Sequence, residues 1–217
     1  MNKPEITYDY IAIEGNIGTG KTSFCKKLAY EYTAGLILEQ FADNPFLPLF
    51  YKDPQRYAFT VELFFMTERY KQMQSQMTSK GLFQDFFLSD YAFIKTLLFA
   101  RKNLGEEEFK LFQMLYSVMA KNVPSPSLFV YFHRDVKYLL ENIKKRGREI
   151  EVDIKAEYLK KVQDSYFEYF RNVTDFPVLI IDLKELDFIA DEKAFNIIVG
   201  LISKTYNPGV HRISLNT

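Results

Sequence analysis

The spacing of apolar positions along this chain switches repeatedly between a period of two and a period near 3.6. "YIAIE" (10–14) alternates as a strand, and "SFCKKLAYEY" follows with Phe24, Leu28 and Tyr32 at helical spacing. "LILEQF" (36–41) reads as a second strand. "DPQRYAFTVELFFMTERYKQMQSQM" (53–77) reads as a long helix with Pro54 suited to its first turn. "LFQDFFLSD" (82–90) is a third strand, followed by helical segments from about Tyr91 to Arg101 and from Glu106 to Lys121. "SLFVYFH" (127–133) gives a fourth strand, after which Asp135 is placed to cap the helix "VKYLLENIKKR". A charged stretch, "RGREIEVD", interrupts the pattern before "AEYLKKVQDSYFEYFRNV" resumes it as helix. "VLIIDL" (178–183) is a fifth strand and "EKAFNIIVGLISKTY" a closing helix. Strands that alternate with helices predict an α/β domain spanning 1–217, with a mostly parallel sheet covered on both faces. The tail, 206–217, is expected to be loose or to pack at an interface.

Composition narrows the classes of function. Hydrophobic residues make up 47% of the 217 and aromatic residues 17%, enough for a substantial core. The 28 basic and 28 acidic residues cancel, which argues against a sequence-independent partner of nucleic-acid polymers while leaving room for a local anion site. Cys25 is the only cysteine, so no intrachain disulfide forms and a reducing compartment is expected. No signal peptide or membrane-spanning run is legible, so the expected location is cytoplasmic, with no membrane partner.

The first predicted strand runs into "EGNIGTGKTSF". Gly15, Asn16, Ile17, Gly18, Thr19, Gly20, Lys21 and Thr22 fit the pattern G-x-x-x-x-G-K-[ST], between a strand and a helix as a phosphate-binding loop requires. The loop amides and the helix N-terminus would cradle phosphate oxygens. Lys21 would bridge the terminal phosphates, and Thr22 would offer its hydroxyl to magnesium. A nucleoside triphosphate with Mg2+ is therefore implied. "HRD" (133–135) does not make a protein kinase: Leu140 stands where that motif needs asparagine, and no D-F-G follows. His133 and His211 are too few and too far apart to suggest a metal site.

Further motifs carry a resemblance. "EQFADNPFLPLFYKDPQRYAF", "ELFFMTERYKQM", "SDYAFIKTLLFA" and "IKKRGREIE" resemble, in order and spacing, the deoxynucleoside kinases, bacterial deoxyguanosine kinases most of all. The match runs from about Ile11 to Phe170. It implies the P-loop nucleoside/nucleotide kinase fold, with a five-stranded parallel sheet, flanking helices and a lid at about 146–156. It also implies transfer of the γ-phosphoryl of ATP to a deoxynucleoside 5′-hydroxyl, in the service of nucleotide salvage, by an enzyme that is commonly a homodimer. Glu39 then matches the general base, and Arg146 and Arg148 match the lid arginines that stabilise the transferring phosphoryl group. Glu151 and Tyr51 match groups that contact the deoxyribose 3′-hydroxyl. Many members of the family carry an acid-Arg-Ser triplet after the third strand. Here Asp90 takes the acid's place, near substrate and magnesium, and Tyr91 stands at the arginine's position. Lys95 is a candidate substitute for that arginine, and Asp85 is a weaker alternative to Asp90.

Base choice follows from hydrogen-bond chemistry. Glu62 stands where the family usually has glutamine, and Arg69 lies two helical turns on, on the same side. An ionised carboxylate only accepts and a guanidinium only donates. Guanine answers both, with N1–H and the N2 amino group on one edge and O6 and N7 on the other. Phe46, Phe64 and Phe65 are candidate walls of the base pocket. A surface ion pair on the helix is the competing account of Glu62 and Arg69. Deoxyadenosine, a broad range of deoxynucleosides or a nucleoside monophosphate remains open as acceptor, as does a non-catalytic nucleotide-binding protein.

Overall fold

Parallel strands covered on both faces must be apolar at almost every position, and "YIAIEG", "LFVYFH" and "PVLIID" meet that demand. The computed structural model describes residues 3–40, 44–77, 84–148, 151 and 154–215, without the side chains of Tyr51 and Met77. The three sequences form β1 (Tyr10–Gly15), β4 (Leu128–His133) and β5 (Pro177–Asp182), adjacent at the centre of one sheet. With β2 (Gly35–Ile37), β3 (Phe87–Ser89) and β6 (Gly209–Ser214) they give the order β2-β3-β1-β4-β5-β6, and every pairing is parallel.

The sheet therefore has six strands, not the expected five. The sixth comes from the tail, which pairs with β5 from Pro177↔Gly209 to Asp182↔Ser214. This edge strand sends only Ile213, followed by Leu215, against the core. Its apolar alternation is too brief to read as a strand. The second and third strands are shorter than expected, and Phe41 and residues 82–83 of those expectations lie outside the described residues. A local cause ends β2: the Glu39 amide donates to Asp90 Oδ1 (2.7 Å) instead of extending the ladder.

Two helical layers cover the sheet. α1 (Lys21–Glu31) and α8 (Glu192–Ile202) bury Phe24, Leu28, Phe195 and Ile198 on one side. On the other side α3 (Pro54–Met77), α4 (Ile94–Asn103), α5 (Glu106–Ala120) and α7 (Ala156–Phe170) pack Met66, Met73, Phe112 and Tyr166. α6 (Val136–Arg146) adds Leu139 and Ile143 against Leu159. A short helix, α2 (Leu47–Lys52), precedes α3; its six residues are too few to show a period. Asp135 occupies the N-cap of α6, but its side chain caps nothing; its backbone carbonyl accepts from Tyr138 and Leu139. Among the described residues no helix is long and apolar enough to cross a membrane.

Candidate active site

The loop between β1 and α1 turns where no side chain fits. A Cβ on Gly15 (φ +149°) would lie 2.6 Å from the Phe132 carbonyl oxygen, and one on Gly18 (φ +85°) would lie 2.7 Å from that of Leu139. Neighbouring helices brace the loop: Asn142 of α6 donates to the Gly18 carbonyl (2.8 Å), and Asn16 donates to the Leu159 carbonyl of α7 (2.7 Å). Lys21 folds back so that its ammonium donates to the carbonyls of Gly15 (2.8 Å) and Asn16 (2.9 Å). Burial, and then the charge of Lys95, bring the Lys21 pKa down to about 8. A cation poorly solvated by its surroundings and lodged in a glycine loop is ready to accept an anion.

The C-terminal ends of β2 and β3 deliver the carboxylates to this loop, at the edge of the sheet where open α/β folds place their sites. Asp90, next after β3, accepts from the Thr22 hydroxyl through Oδ2 and from the Glu39 amide through Oδ1. Burial raises the Asp90 pKa, and the Thr22 hydrogen bond works against that shift. Thr22 and Asp90 form a hard oxygen set beside the loop, which suits Mg2+ held mainly by phosphate oxygens and water. Among the described residues no group of three or more His, Cys, Asp or Glu is placed to hold a metal.

Glu39 lies two residues past β2 with its side chain only 3% exposed. Arg69 of α3 reaches Oε1 with both Nε (2.8 Å) and Nη2 (2.6 Å), and Lys95 of α4 donates to Oε2. Burial alone would raise the carboxyl's pKa, but Lys95 and Arg69 outweigh it and hold the value at about 2. Arg69 Nη1 also donates to Thr96 (2.9 Å), and its guanidinium lies 5.2 Å from the Phe65 ring centre. Glu39, Phe65 and Arg69, with Gln72, line a cavity of about 280 Å3.

The competing picture of a surface ion pair on α3 is corrected on both counts. Glu62 and Arg69 are buried, and the two do not pair with each other. Glu62 instead accepts from Asn103 at the end of α4 (2.6 Å). Burial pushes the Glu62 carboxyl up to about 7, against the Asn103 hydrogen bond and the charge of Arg69. Between the ordinary value of 4.5 and about 7, the folded protein keeps a proton that the unfolded chain has lost. Stability should therefore fall as pH rises through that window, by an amount on the order of a few kcal/mol. In Glu62→Gln the decline should be smaller by that contribution. Urea midpoints at pH 5 and pH 8 for both proteins check this.

The remaining candidates divide. Phe46 and Phe64 meet edge to face with centroids 6.2 Å apart, beside Phe65. Arg146 and Arg148 both bind Glu151, at the C-terminal end of α6, where Gly147 takes the left-handed conformation (φ +65°). The rest of the expected lid at 149–150 and 152–153, and the Tyr51 side chain, lie outside the described residues. Asp85 is exposed and its amide donates to the Thr33 carbonyl, whereas Asp90 accepts from Thr22 and the Glu39 amide. Tyr91 is fully buried and donates to Gln72 Oε1 (2.8 Å), serving the core. Cys25 is also buried, with its thiol on the Ser89 carbonyl. Glu14 gives no signal in the sequence, because it sits within an apolar strand. It is wholly buried and accepts from the Ala92 amide (2.8 Å) and the Tyr166 hydroxyl (2.8 Å), tying β1 to the start of α4 and to α7.

Comparison with known proteins finds relatives that align over most of the chain. The chain is 29% identical over 205 residues to deoxyguanosine kinase of Bacillus subtilis (strain 168), an alignment covering 91% of this chain and 98% of the relative. It is 28% identical over 197 residues to the same organism's deoxyadenosine/deoxycytidine kinase, covering 89% and 91% of the two chains. The solved structure of deoxyadenosine kinase from M. mycoides with bound dATP superposes with a TM-score of 0.75 at 26% identity, covering 89% of this chain and 99% of that one. The family profile described as deoxynucleoside kinase matches residues 11–207, and the chain belongs to that family.

Proposed function

We propose that this member of the family transfers the γ-phosphoryl group of ATP, with Mg2+, to the 5′-hydroxyl of a deoxynucleoside, deoxyguanosine by preference, in purine deoxynucleotide salvage. The observation that carries the reading is Glu39: a buried carboxylate kept ionised by two cations at the sheet edge that holds the glycine loop. In the proposed reaction the 5′-oxygen bonds to the γ-phosphorus as the bond from that phosphorus to the β,γ-bridging oxygen breaks. The hydroxyl proton passes to Glu39, and the electron pair leaves with ADP. Lys21 balances charge on the terminal phosphates, and Arg146 and Arg148 supply further positive charge from the end of α6. Thr22 and Asp90 would hold Mg2+, whose chemistry is to neutralise charge spread over the phosphate oxygens. Glu151 and Tyr51 are assigned to the deoxyribose, as their places in the family pattern suggest.

The preference for deoxyguanosine rests on Glu62. Ionised, it accepts from guanine N1–H and N2–H; protonated, it donates to adenine N1 and accepts from N6–H. Arg69 would donate to the O6/N7 edge with the N–H groups that Glu39 and Thr96 leave over. Because Asn103 occupies one oxygen and burial sets the carboxyl near 7, the two purines should trade places with pH. The ratio of kcat/KM for deoxyguanosine to that for deoxyadenosine should rise as pH increases through about 7. In Glu62→Gln the ratio should fall by about ten-fold or more and be flat with pH, since one unpaired polar group costs about 1–3 kcal/mol. A ratio unchanged by the substitution removes Glu62 from base reading.

A homodimer is proposed from α5. Leu111, Met114, Leu115 and Val118 are exposed at i, i+3, i+4 and i+7, a stripe that a second copy would cover. Antiparallel pairing would set the acidic first turn, Glu106 to Glu108, beside Lys121 at the partner's other end.

A further inference from the structure

Lys95 breaks two local rules. It is a cation in the first turn of α4, where the helix dipole disfavours positive charge, and its side chain is only 7% exposed. Arg69 also binds Glu39, through two N–H groups, so one buried carboxylate carries two cations. Burying two cations at one carboxylate is costly, and such local conflicts gather at functional sites.

The geometry gives this second cation a use. Both Arg69 bonds fall on Oε1 of Glu39, which fills the lone pairs of that oxygen. The oxygen left to take a proton is Oε2, the one Lys95 holds. An attacking hydroxyl bound to Oε2 therefore has the Lys95 ammonium beside it, on the side from which α4 begins. The same ammonium is near enough to Lys21 for the two charges to act on each other. Tyr91, meanwhile, is buried with its hydroxyl on Gln72 and brings no positive charge to Glu39.

We propose that Lys95 is a catalytic cation of the phosphoryl transfer, bridging Glu39 Oε2 and the oxygens of the group in flight between donor and 5′-hydroxyl. The assignment rests on the kinase reading above. In the free protein Lys95 holds the base in place. As charge gathers on the transferring group, the ammonium shares itself with those oxygens and leaves Oε2 to the hydroxyl proton.

The test compares Lys95→Met, Lys95→Gln and Lys95→Arg with the wild-type full chain, using ATP, Mg2+ and each deoxynucleoside. Removal of the charge should lower kcat by about 10²–10³-fold, with nucleoside KM changed only a few-fold. Lys95→Arg should recover at least ten-fold over the Met variant. Lys95→Gln keeps a hydrogen bond to Glu39 and should show the same loss of kcat, which decides the matter if the Met variant fails to fold. Wild-type kcat in the folded Met or Gln variant, or a loss confined to KM, overturns the assignment and leaves the kinase reading intact. A wild-type protein that phosphorylates no nucleoside overturns both.

Discussion

Replacing Glu39 by glutamine should lower kcat by about 10²–10⁴-fold, the range by which positioned proton acceptors contribute. The substitution preserves shape and one acceptor oxygen, so Arg69 keeps a partner and the nucleoside should still bind within a few-fold. It removes the negative charge that offsets two buried cations, Arg69 and Lys95. Tm should therefore fall, because breaking a buried ion pair from one side costs about 3–5 kcal/mol and an isosteric amide recovers part of that. Steady-state kinetics together with calorimetric nucleoside binding separate the two effects. A rise in KM at unchanged kcat would make Glu39 a binding residue.

Lys21→Ala should lower kcat/KM by about 10²–10³-fold, the usual consequence of deleting one charge-stabilising group at a transition state. Its fold should persist. The Lys21 ammonium bonds two loop carbonyls, and the loop is held independently by Asn16 on α7 and Asn142 on α6. Tm within a few degrees of wild type, with turnover nearly gone, is the expected pair of results. Near-normal turnover would dissociate the glycine loop from phosphate binding.

The central strands were readable because burial on both faces leaves continuous apolar runs, as in β4 and β5. The phosphate loop was readable because its glycines answer hard steric limits at Gly15 and Gly18. What escaped the sequence depends on contacts between distant segments. β6 has too little apolar surface to announce itself, and β2 ends early because of an Asp90 side chain fifty-one residues further along the chain. Helical spacing placed Glu62 and Arg69 on one side of α3, yet each finds its partner elsewhere, in Asn103 and Glu39. The Tyr91 hydroxyl is taken up by Gln72, and Glu14 hides within an apolar strand; neither position carries a pattern that local reading detects. Lys95 stood out only as a cation close to a missing arginine, and its place on Glu39 Oε2 needed the start of α4 beside the segment that follows β2.

The most direct measurement incubates the wild-type chain with ATP, Mg2+ and each of the four natural deoxynucleosides, and follows formation of the 5′-monophosphate by chromatography. The account predicts ADP and nucleoside 5′-monophosphate in equal amounts, with the highest kcat/KM for deoxyguanosine at pH 8. Highest kcat/KM for deoxyadenosine or deoxycytidine at that pH would contradict the base-reading role of Glu62. Absence of monophosphate from all four would contradict the kinase assignment itself.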